Sequence, residues 1–473
     1  MSSLAASADH AQPVARVTRW KVLFGAILVQ LILGTVYGYS IFWQPLEAAV
    51  YPTRILTAAQ AAQLSAGRSE LAGVVIVADE AAATARHEAQ KGLLKYSFAI
   101  CILSFAVLMV WAGRIQDQKG PRFTAFVGAS LLGAGFVLAG AFLISPLSAA
   151  ASETLKLAIL WVTLGLMAGA GIGFAYVCPI AALIKWFPEH KGLVSGVAVA
   201  GFGLGAYIFS QKDAAIGAPP FIAAHGIGTF FLVHGIVSFL AVSVGASLLT
   251  NPPGGAVRGV QESTWRETLR RPAFYMLWLM FFSGALAGLT VIGILKDFAG
   301  EQLVAGAGPN LPEALRNDLL MRGAEAVGWL AVFNALGRVC WGLVSDRVGR
   351  TAAFITMFVI QAVVLFSLTR LHTELGLAVG ASLVGFNFGG NFALFPSTTA
   401  DLFGAKNLGA NYGLVFTSYG IAGVVGVYSG NTAKALTHSY GAAFAVAACL
   451  CILSAVLAMA LRATHKPAAA QAS

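Results

Sequence analysis

Long apolar runs alternate with short polar stretches along almost the whole chain. Each run is close to the length of about 20 residues that an α-helix needs to cross the hydrocarbon layer of a bilayer. We therefore predict an all-α membrane protein with twelve transmembrane helices. The expected spans are 22–46, 94–112, 123–145, 156–184, 192–211, 226–250, 273–296, 324–345, 351–370, 375–399, 408–432 and 440–462.

The composition agrees with this pattern. Of the 473 residues, 58% are hydrophobic and 11% are charged, and the mean hydropathy is +0.77. A soluble domain carries about a quarter charged residues, so a soluble fold is excluded. The 53 glycines suit helices that pack closely in lipid. The polar stretch 1–21 lacks the features of a cleavable leader, and we expect it to remain as a tail.

The net charge of +10 reflects an uneven distribution of lysine and arginine between the loops. Most cations of the short connections fall on the side of the N-terminus, including Arg266, Arg270 and Arg271 between the sixth and seventh spans. Cytoplasmic loops carry such an excess. We therefore expect an inner-membrane protein with both termini in the cytoplasm, and the charge does not indicate a nucleic-acid partner.

Two loops half a chain apart share one motif. GRIQDQKGPR follows the second span and GLVSDRVGR follows the eighth, and both contain G-x-x-x-D-x-x-G. The motif residues are Gly113, Asp117, Gly120 and Arg122 in the first loop, and Gly342, Asp346, Arg347, Gly349 and Arg350 in the second. FPEHKGLVSG and FGAKNLGANYG also match, each placing G-x-x-x-G where the next span begins. These matches predict two six-helix repeats that rock against each other.

The repeats divide the chain into parts. These are a cytoplasmic tail (1–21), a six-helix bundle (22–250) with an extracytoplasmic insertion (47–93), a cytoplasmic linker (251–271), a second bundle (272–462) and a cytoplasmic tail (463–473). The two motif loops are expected to form a cytoplasmic gate. Asp117 and Asp346 would pair with cations or helix N-termini in one state and release them in the other.

With these loops the chain resembles the major facilitator superfamily. Within it, the chain resembles the oxalate–formate antiporter family and its monocarboxylate-transporting relatives. The resemblance rests on GTVYGYSIFWQPL, GAGIGFAYVCPIAALIKWFPEHKGLVSG, GRVCWGLVSDRVGR, NFGGNFALFPSTTADLFG and NYGLVFTSYG. It implies transport of a small carboxylate, which binds midway through the membrane between an arginine of the eighth span and a residue of the eleventh.

Arg338 is a permanent cation inside an apolar span. It lies about 12 Å from Asp346 along a helix that rises ~1.5 Å per residue, and half the hydrocarbon core is about 15 Å. Burial there costs about 2.5–3.5 kcal/mol or more. A guanidinium can bind a carboxylate through two parallel hydrogen bonds. No Asp or Glu falls deep in any predicted span, which favours an anion site over a structural arginine.

The resemblance assigns further residues to the site. Arg338 matches the family's arginine, and Tyr419 stands where the oxalate-specific member has lysine. Asn334 occupies the position at which proton-coupled monocarboxylate carriers have an aspartate, and an amide does not titrate. Aromatic positions around the substrate match Tyr37, Tyr176, Phe388 and Phe392, although the phenylalanine pair can also be core.

We therefore expect a secondary active or facilitative carrier of small monocarboxylates such as lactate, pyruvate or formate. Asn334 favours exchange or facilitated transport over proton symport. An oxalate:formate antiporter is the alternative within this class, and a transporter-like carboxylate sensor is the alternative outside it. The sequence predicts no enzyme, metal site or cofactor, and we expect a monomer that contacts the small carboxylate substrate and the lipid bilayer.

The insertion 47–93 contains two alanine-rich stretches, AAQAAQLSAGRSELAGVV and DEAAATARHEAQKGLLKYS. Both are expected to be helical, and the second should continue into the second span. The insertion can cap the entrance, bind a partner or form a passive hairpin.

Overall fold

A computed structural model describes residues 2–51, 54–57, 74–211, 217–253 and 262–464. Among them, twelve helices are long and apolar enough to cross a membrane. Their bounds are α1 Ser2–Leu33, α2 Glu80–Lys119, α3 Pro121–Ile144, α4 Glu153–Trp186, α5 Lys191–Ser210, α6 Ala218–Leu248, α7 Pro272–Ala307, α8 Glu313–Val348, α9 Arg350–Leu368, α10 Glu374–Phe403, α11 Leu408–Thr437 and α12 Gly441–Thr464. The predicted all-α membrane fold with twelve spans is confirmed.

Several helices depart from regular α-geometry. A 3₁₀ segment, Gly34–Phe42, follows α1 and leads into the short helix Trp43–Val50, where one continuous span was expected. Gly226 bends α6 with a φ of 80°, at the point where the predicted sixth span begins. Trp161–Met167 forms a π segment within α4. Such local changes of helix type often occur at functional sites.

The backbone conformation explains why a glycine follows Asp117 and Asp346 in the motif. Gly120 and Gly349 both adopt a φ of 88°, which side-chain-bearing residues rarely adopt. Each residue ends one helix and caps the start of the next, so the chain turns back within a single residue. The motif therefore holds α2 next to α3, and α8 next to α9.

The insertion is partly as predicted. Asp79 caps α2 by accepting a hydrogen bond from the Ala82 N–H at 2.8 Å, and the helix then continues into the second span. Of the first alanine-rich stretch, 58–73 lies outside the described residues. Its last two residues were expected to be helical, and this prediction is wrong. The β-branched run Val74–Val77 instead forms strand β2, which pairs in parallel with β1 at Arg54–Thr57.

The two repeats meet along two helix pairs, α2 with α11 and α5 with α8. A Cβ added at Gly113 would lie 2.0 Å from the Gly409 carbonyl oxygen, and one added at Gly342 would lie 2.3 Å from that of Gly192. Backbones this close leave no room for a side chain. The first glycine of each motif thus allows its helix to touch the other repeat.

Candidate functional site

Arg338 is 1% exposed and belongs to α8. Its Nη1 donates to the backbone oxygen of Val199 in α5 at 2.6 Å, and its Nε donates to Asn334 Oδ1 at 3.2 Å. Its Nη2 is buried without a hydrogen-bond partner in the described part of the chain. An unsatisfied guanidinium nitrogen is costly at this depth. The arrangement leaves one strong donor ready for an anion.

Five aromatic side chains and Arg338 form a closed loop of contacts, which we call the central ring. In order it runs Arg338, Phe392, Tyr419, Phe416, Tyr176 and Phe202. The successive distances are 4.6 Å from Arg338 Cζ to the Phe392 ring, then 5.4, 4.9, 5.3 and 5.5 Å between ring centroids, and 5.9 Å from Phe202 back to Arg338 Cζ. Both repeats contribute, since Tyr176 and Phe202 belong to α4 and α5.

The structure brings most of the predicted residues together. Arg338, Tyr176, Phe392 and Tyr419 lie in the central ring, and Asn334 orients the guanidinium from one turn away. Phe388 lies one ring further out, 5.3 Å from Phe392. It packs on Gly288 of α7, where an added Cβ would lie 2.1 Å from the Phe388 ring. The side chain of Tyr37 lies outside the described residues.

Sequence reasoning missed Phe202, Phe416 and the carbonyl of Val199. The internal repeat contains a signal for the first of them. Phe202 follows Gly196 by six residues, as Tyr419 follows Gly413, so the two aromatics occupy equivalent positions.

The same equivalence shows why the central ring holds one cation. A Cβ added at Gly196 would lie 2.1 Å from the Arg338 oxygen, and one added at Gly413 would lie 2.7 Å from the Met109 oxygen. Met109 is thus the first-repeat counterpart of Arg338. A thioether there leaves the site asymmetric, with its charge supplied by the second repeat.

Asp346 joins the end of α8 to the start of α5. Its two carboxylate oxygens accept hydrogen bonds from the N–H groups of Gly192 at 2.9 Å and Leu193 at 2.8 Å. Arg350 Nη1 lies 2.8 Å from the same carboxylate. A carboxylate at a helix N-terminus satisfies free N–H groups and interacts favourably with the helix dipole.

Asp117 makes the equivalent contact in the other direction. From the end of α2 it accepts hydrogen bonds from Gly409 N–H at 3.1 Å and Ala410 N–H at 2.8 Å, at the start of α11. Lys185 Nζ lies 4.0 Å away. Of the remaining motif arginines, Arg122 and Arg347 are exposed. Each motif aspartate therefore binds the N-terminus of a helix from the opposite repeat.

The linker contacts this interface. Its helix Trp265–Arg270 starts with a capping box, in which the Thr264 backbone N–H donates to Glu267 at 2.7 Å. That hydrogen bond lowers the pKa of Glu267. The Arg114 guanidinium of α2 stacks on the Trp265 ring at 4.0 Å. The linker thus touches the first repeat beside Asp117.

The family model of the Major Facilitator Superfamily matches residues 64–307 and 298–473. The chain belongs to the major facilitator superfamily. Members of this superfamily are transporters, so the expectation of no enzyme is confirmed. The chain is also a multi-pass membrane protein, as its twelve apolar helices indicate.

Several superfamily relatives are similar over most of the chain. The uncharacterized MFS-type transporter YhjX of Escherichia coli is 28% identical and covers 86% of both chains. The oxalate:formate antiporter of Oxalobacter formigenes is 27% identical over 70% of this chain and 72% of its own. Apicoplast pyruvate carrier 1 of Toxoplasma gondii is 26% identical over 84% and 80%. The predicted family resemblance is confirmed.

A solved superfamily structure shows the same fold. The E. coli fucose:proton symporter FucP superposes with a TM-score of 0.62 over 93% of this chain and 99% of its own, at 13% identity.

The described conformation is closed on the side of the motif loops, where both aspartate contacts are made. Towards the opposite end, the N-terminal half of α8 is packed along one stripe only, through Gly323, Ala326 and Leu330. The other positions of Met321–Val332 are exposed. The N-terminal half of α8 is therefore less enclosed by other helices than its C-terminal half, which touches α5 at Gly342.

Proposed function

We propose that this major facilitator protein carries small monocarboxylates, such as formate, lactate and pyruvate, by alternating access. We place it in the inner membrane as a monomer, with both termini and the motif loops in the cytoplasm. The observation that carries the proposal is the unpartnered Nη2 of Arg338, a buried cation enclosed by aromatic side chains.

The carboxylate would bind first at Nη2 of Arg338. A second oxygen can accept from Nη1 if it displaces the Val199 carbonyl, which gives the bidentate geometry that guanidinium favours. The faces of Phe392 and Phe202 already flank the guanidinium and offer an apolar surface to the rest of the substrate. Tyr419 supplies a neutral hydroxyl, so the ring would match one negative charge.

Displacement of Val199 would couple binding to movement. Val199 belongs to the first repeat and Arg338 to the second, so their hydrogen bond joins the two repeats at mid-depth. A carboxylate that takes over Nη1 removes this link. The contacts of Asp117 and Asp346 and the ion pair of Lys191 with Asp401 at 2.7 Å would then still join the repeats at the motif loops. A ligand shifts a conformational equilibrium through such differences in contact.

Two relatives support carboxylates as the substrate class, since their names specify oxalate, formate and pyruvate. Oxalate:formate exchange remains the second candidate because of the first of these relatives. The single cation of the central ring favours a monoanion over oxalate. A carboxylate sensor would bind the same anions without moving them.

Transport by purified protein in liposomes tests the proposal. Liposomes preloaded with unlabelled formate, lactate or pyruvate should take up the same labelled acid faster than protein-free liposomes. Because Asn334 does not titrate, an imposed pH gradient should not drive accumulation. Exchange of oxalate alone would support the second candidate, and binding without flux would support the sensor.

Tyr419 is expected to control the charge of the substrate. Tyr419→Lys places a second cation in the central ring, where the present Tyr419 ring lies 5.4 Å from the Phe392 ring. We expect oxalate uptake to rise at least about 10-fold relative to formate uptake, since about 1.4 kcal/mol of added attraction suffices. The ratio of the two initial rates in liposomes measures this change.

Tyr428→Lys is the matched control, because Tyr428 lies on the same helix and is 49% exposed. This variant should keep the wild-type ratio of oxalate to formate uptake. An unchanged ratio in a folded Tyr419→Lys protein would remove Tyr419 from the substrate site.

A further inference from the structure

Three alternating glycines of α5 have different surroundings. A Cβ added at Gly205 would lie 1.9 Å from the Leu31 oxygen, and one at Gly201 would lie 3.1 Å from the Ile27 oxygen, so both pack against α1. Gly203 faces α8 instead. The atoms nearest to its added Cβ are Ala335 Cβ at 3.6 Å, Ala335 Cα at 3.8 Å and Arg338 Nε at 4.0 Å, which are ordinary contact distances.

Close helix packing does not explain why position 203 is a glycine. A glycine inside a helix is less stable than an alanine, because it loses more backbone freedom on folding. The backbone at Gly203 has no positive φ, and a methyl group there fits without displacing a neighbour. Gly201 and Gly205 are kept small by the α1 backbone, whereas Gly203 leaves room for a methyl group in ordinary contact with Ala335 and Arg338.

That space adjoins the guanidinium. Gly203, Asn334 and Ala335 are all partly exposed, although Arg338 itself is 1% exposed. Two small residues, Gly203 from the first repeat and Ala335 from the second, therefore face each other across a gap beside the charged group. A substrate whose carboxylate binds Arg338 can direct its substituent into this gap.

We infer that Gly203 is a specificity-determining residue that sets the largest substituent a carboxylate substrate can carry. This inference rests on the proposed function of Arg338 as the carboxylate site. A methyl group at position 203 occupies space next to Nε of Arg338 without touching Nη2 of the same side chain. Formate has only hydrogen on its carboxyl carbon, so the added methyl group should not affect its binding. Lactate and pyruvate have a methyl-bearing substituent, which would clash with the added methyl group in the gap.

The test compares substrates in one protein. In Gly203→Ala, we expect the ratio of lactate to formate transport efficiency to fall about 10-fold or more, within the range that a single methylene group gives in a fitted site. Initial rates at several concentrations in liposomes give the efficiency for each acid. Gly328→Ala is the control, since Gly328 of α8 has nothing within 4 Å of an added Cβ and the ratio should stay unchanged.

Ala335→Gly tests the same gap from the opposite helix. It should raise the transport efficiency for acids larger than lactate and leave that for formate unchanged. Because it removes a methyl group from α8, its result does not depend on whether α5 tolerates an added one. An equal loss of both acids in Gly203→Ala, or an unchanged ratio in both variants, would overturn the inference and leave the proposed function intact. A wild-type protein that moves none of these acids would refute the proposed function itself.

Discussion

Arg338→Gln is expected to reduce monocarboxylate uptake by roughly 30-fold or more, since loss of one partner from a buried charge pair costs about 2–5 kcal/mol. Glutamine can still hydrogen-bond to a substrate oxygen, but it carries no charge and has no second parallel donor. The measurement is the initial rate of labelled lactate and formate uptake in liposomes. Monodisperse elution and an unchanged melting temperature would show that the variant folds.

Arg338→Lys tests whether transport needs only the positive charge of Arg338 or also the planar geometry of its guanidinium. Lysine keeps the charge but offers a point-like ammonium instead of a planar fork, and it cannot hold Asn334, Val199 and a carboxylate in the present arrangement. We expect uptake well below wild type. Arg370→Gln is the matched control, because Arg370 is exposed at the end of α9 and should transport normally. Wild-type rates in both Arg338 variants would show that the carboxylate binds elsewhere.

Asp346→Asn is expected to shift the protein away from the conformation that is closed at the motif loops. The present carboxylate accepts from two N–H groups and pairs with Arg350. Asparagine has one acceptor oxygen, and its amide group would face a second donor. A loss of about 1–2 kcal/mol changes the ratio of two states about 5- to 30-fold.

Distances between spin labels measure this shift. Labels at exposed positions 190, directly before α5, and 348, the last residue of α8, should show a larger share of long separations in Asp346→Asn when both are introduced in a cysteine-free background. Transport should slow, because the cycle needs both states. Asp318→Asn is the control on the same helix, since Asp318 pairs with Arg322 at the exposed far end. An unchanged distance distribution and unchanged uptake would show that Asp346 is not part of the gate.

The motif residues were predictable as a repeat, but their partners were not. Gly113, Asp117, Gly342 and Asp346 stand out because the same motif follows the second and eighth spans. Their partners are backbone N–H groups, which every residue except proline has. Position in the fold alone distinguishes the first turns of α5 and α11 from any other helix start.

The sequence predicted the charged and polar residues of the site, whose chemistry is unusual in an apolar span, but not all of its phenylalanines. An arginine in an apolar span is rare enough to be noticed, and Asn334 one turn away follows from helical periodicity. Phe202 and Phe416 are two of 31 phenylalanines, and only the repeat equivalence of Phe202 with Tyr419 distinguishes either of them in the sequence. Their place in the ring depends on how α5 and α11 are rotated towards the site.

The sequence by itself determined the twelve spans, the two repeats and the buried cation. It could do so because a bilayer requires each crossing helix to be apolar along its length and to satisfy its own backbone, so every span can be recognised alone. The tertiary structure alone decided which faces of these helices meet. In α5 the two-residue spacing of Gly201, Gly203 and Gly205 turns one glycine towards Arg338 and two towards α1, since successive positions of a helix face different neighbours.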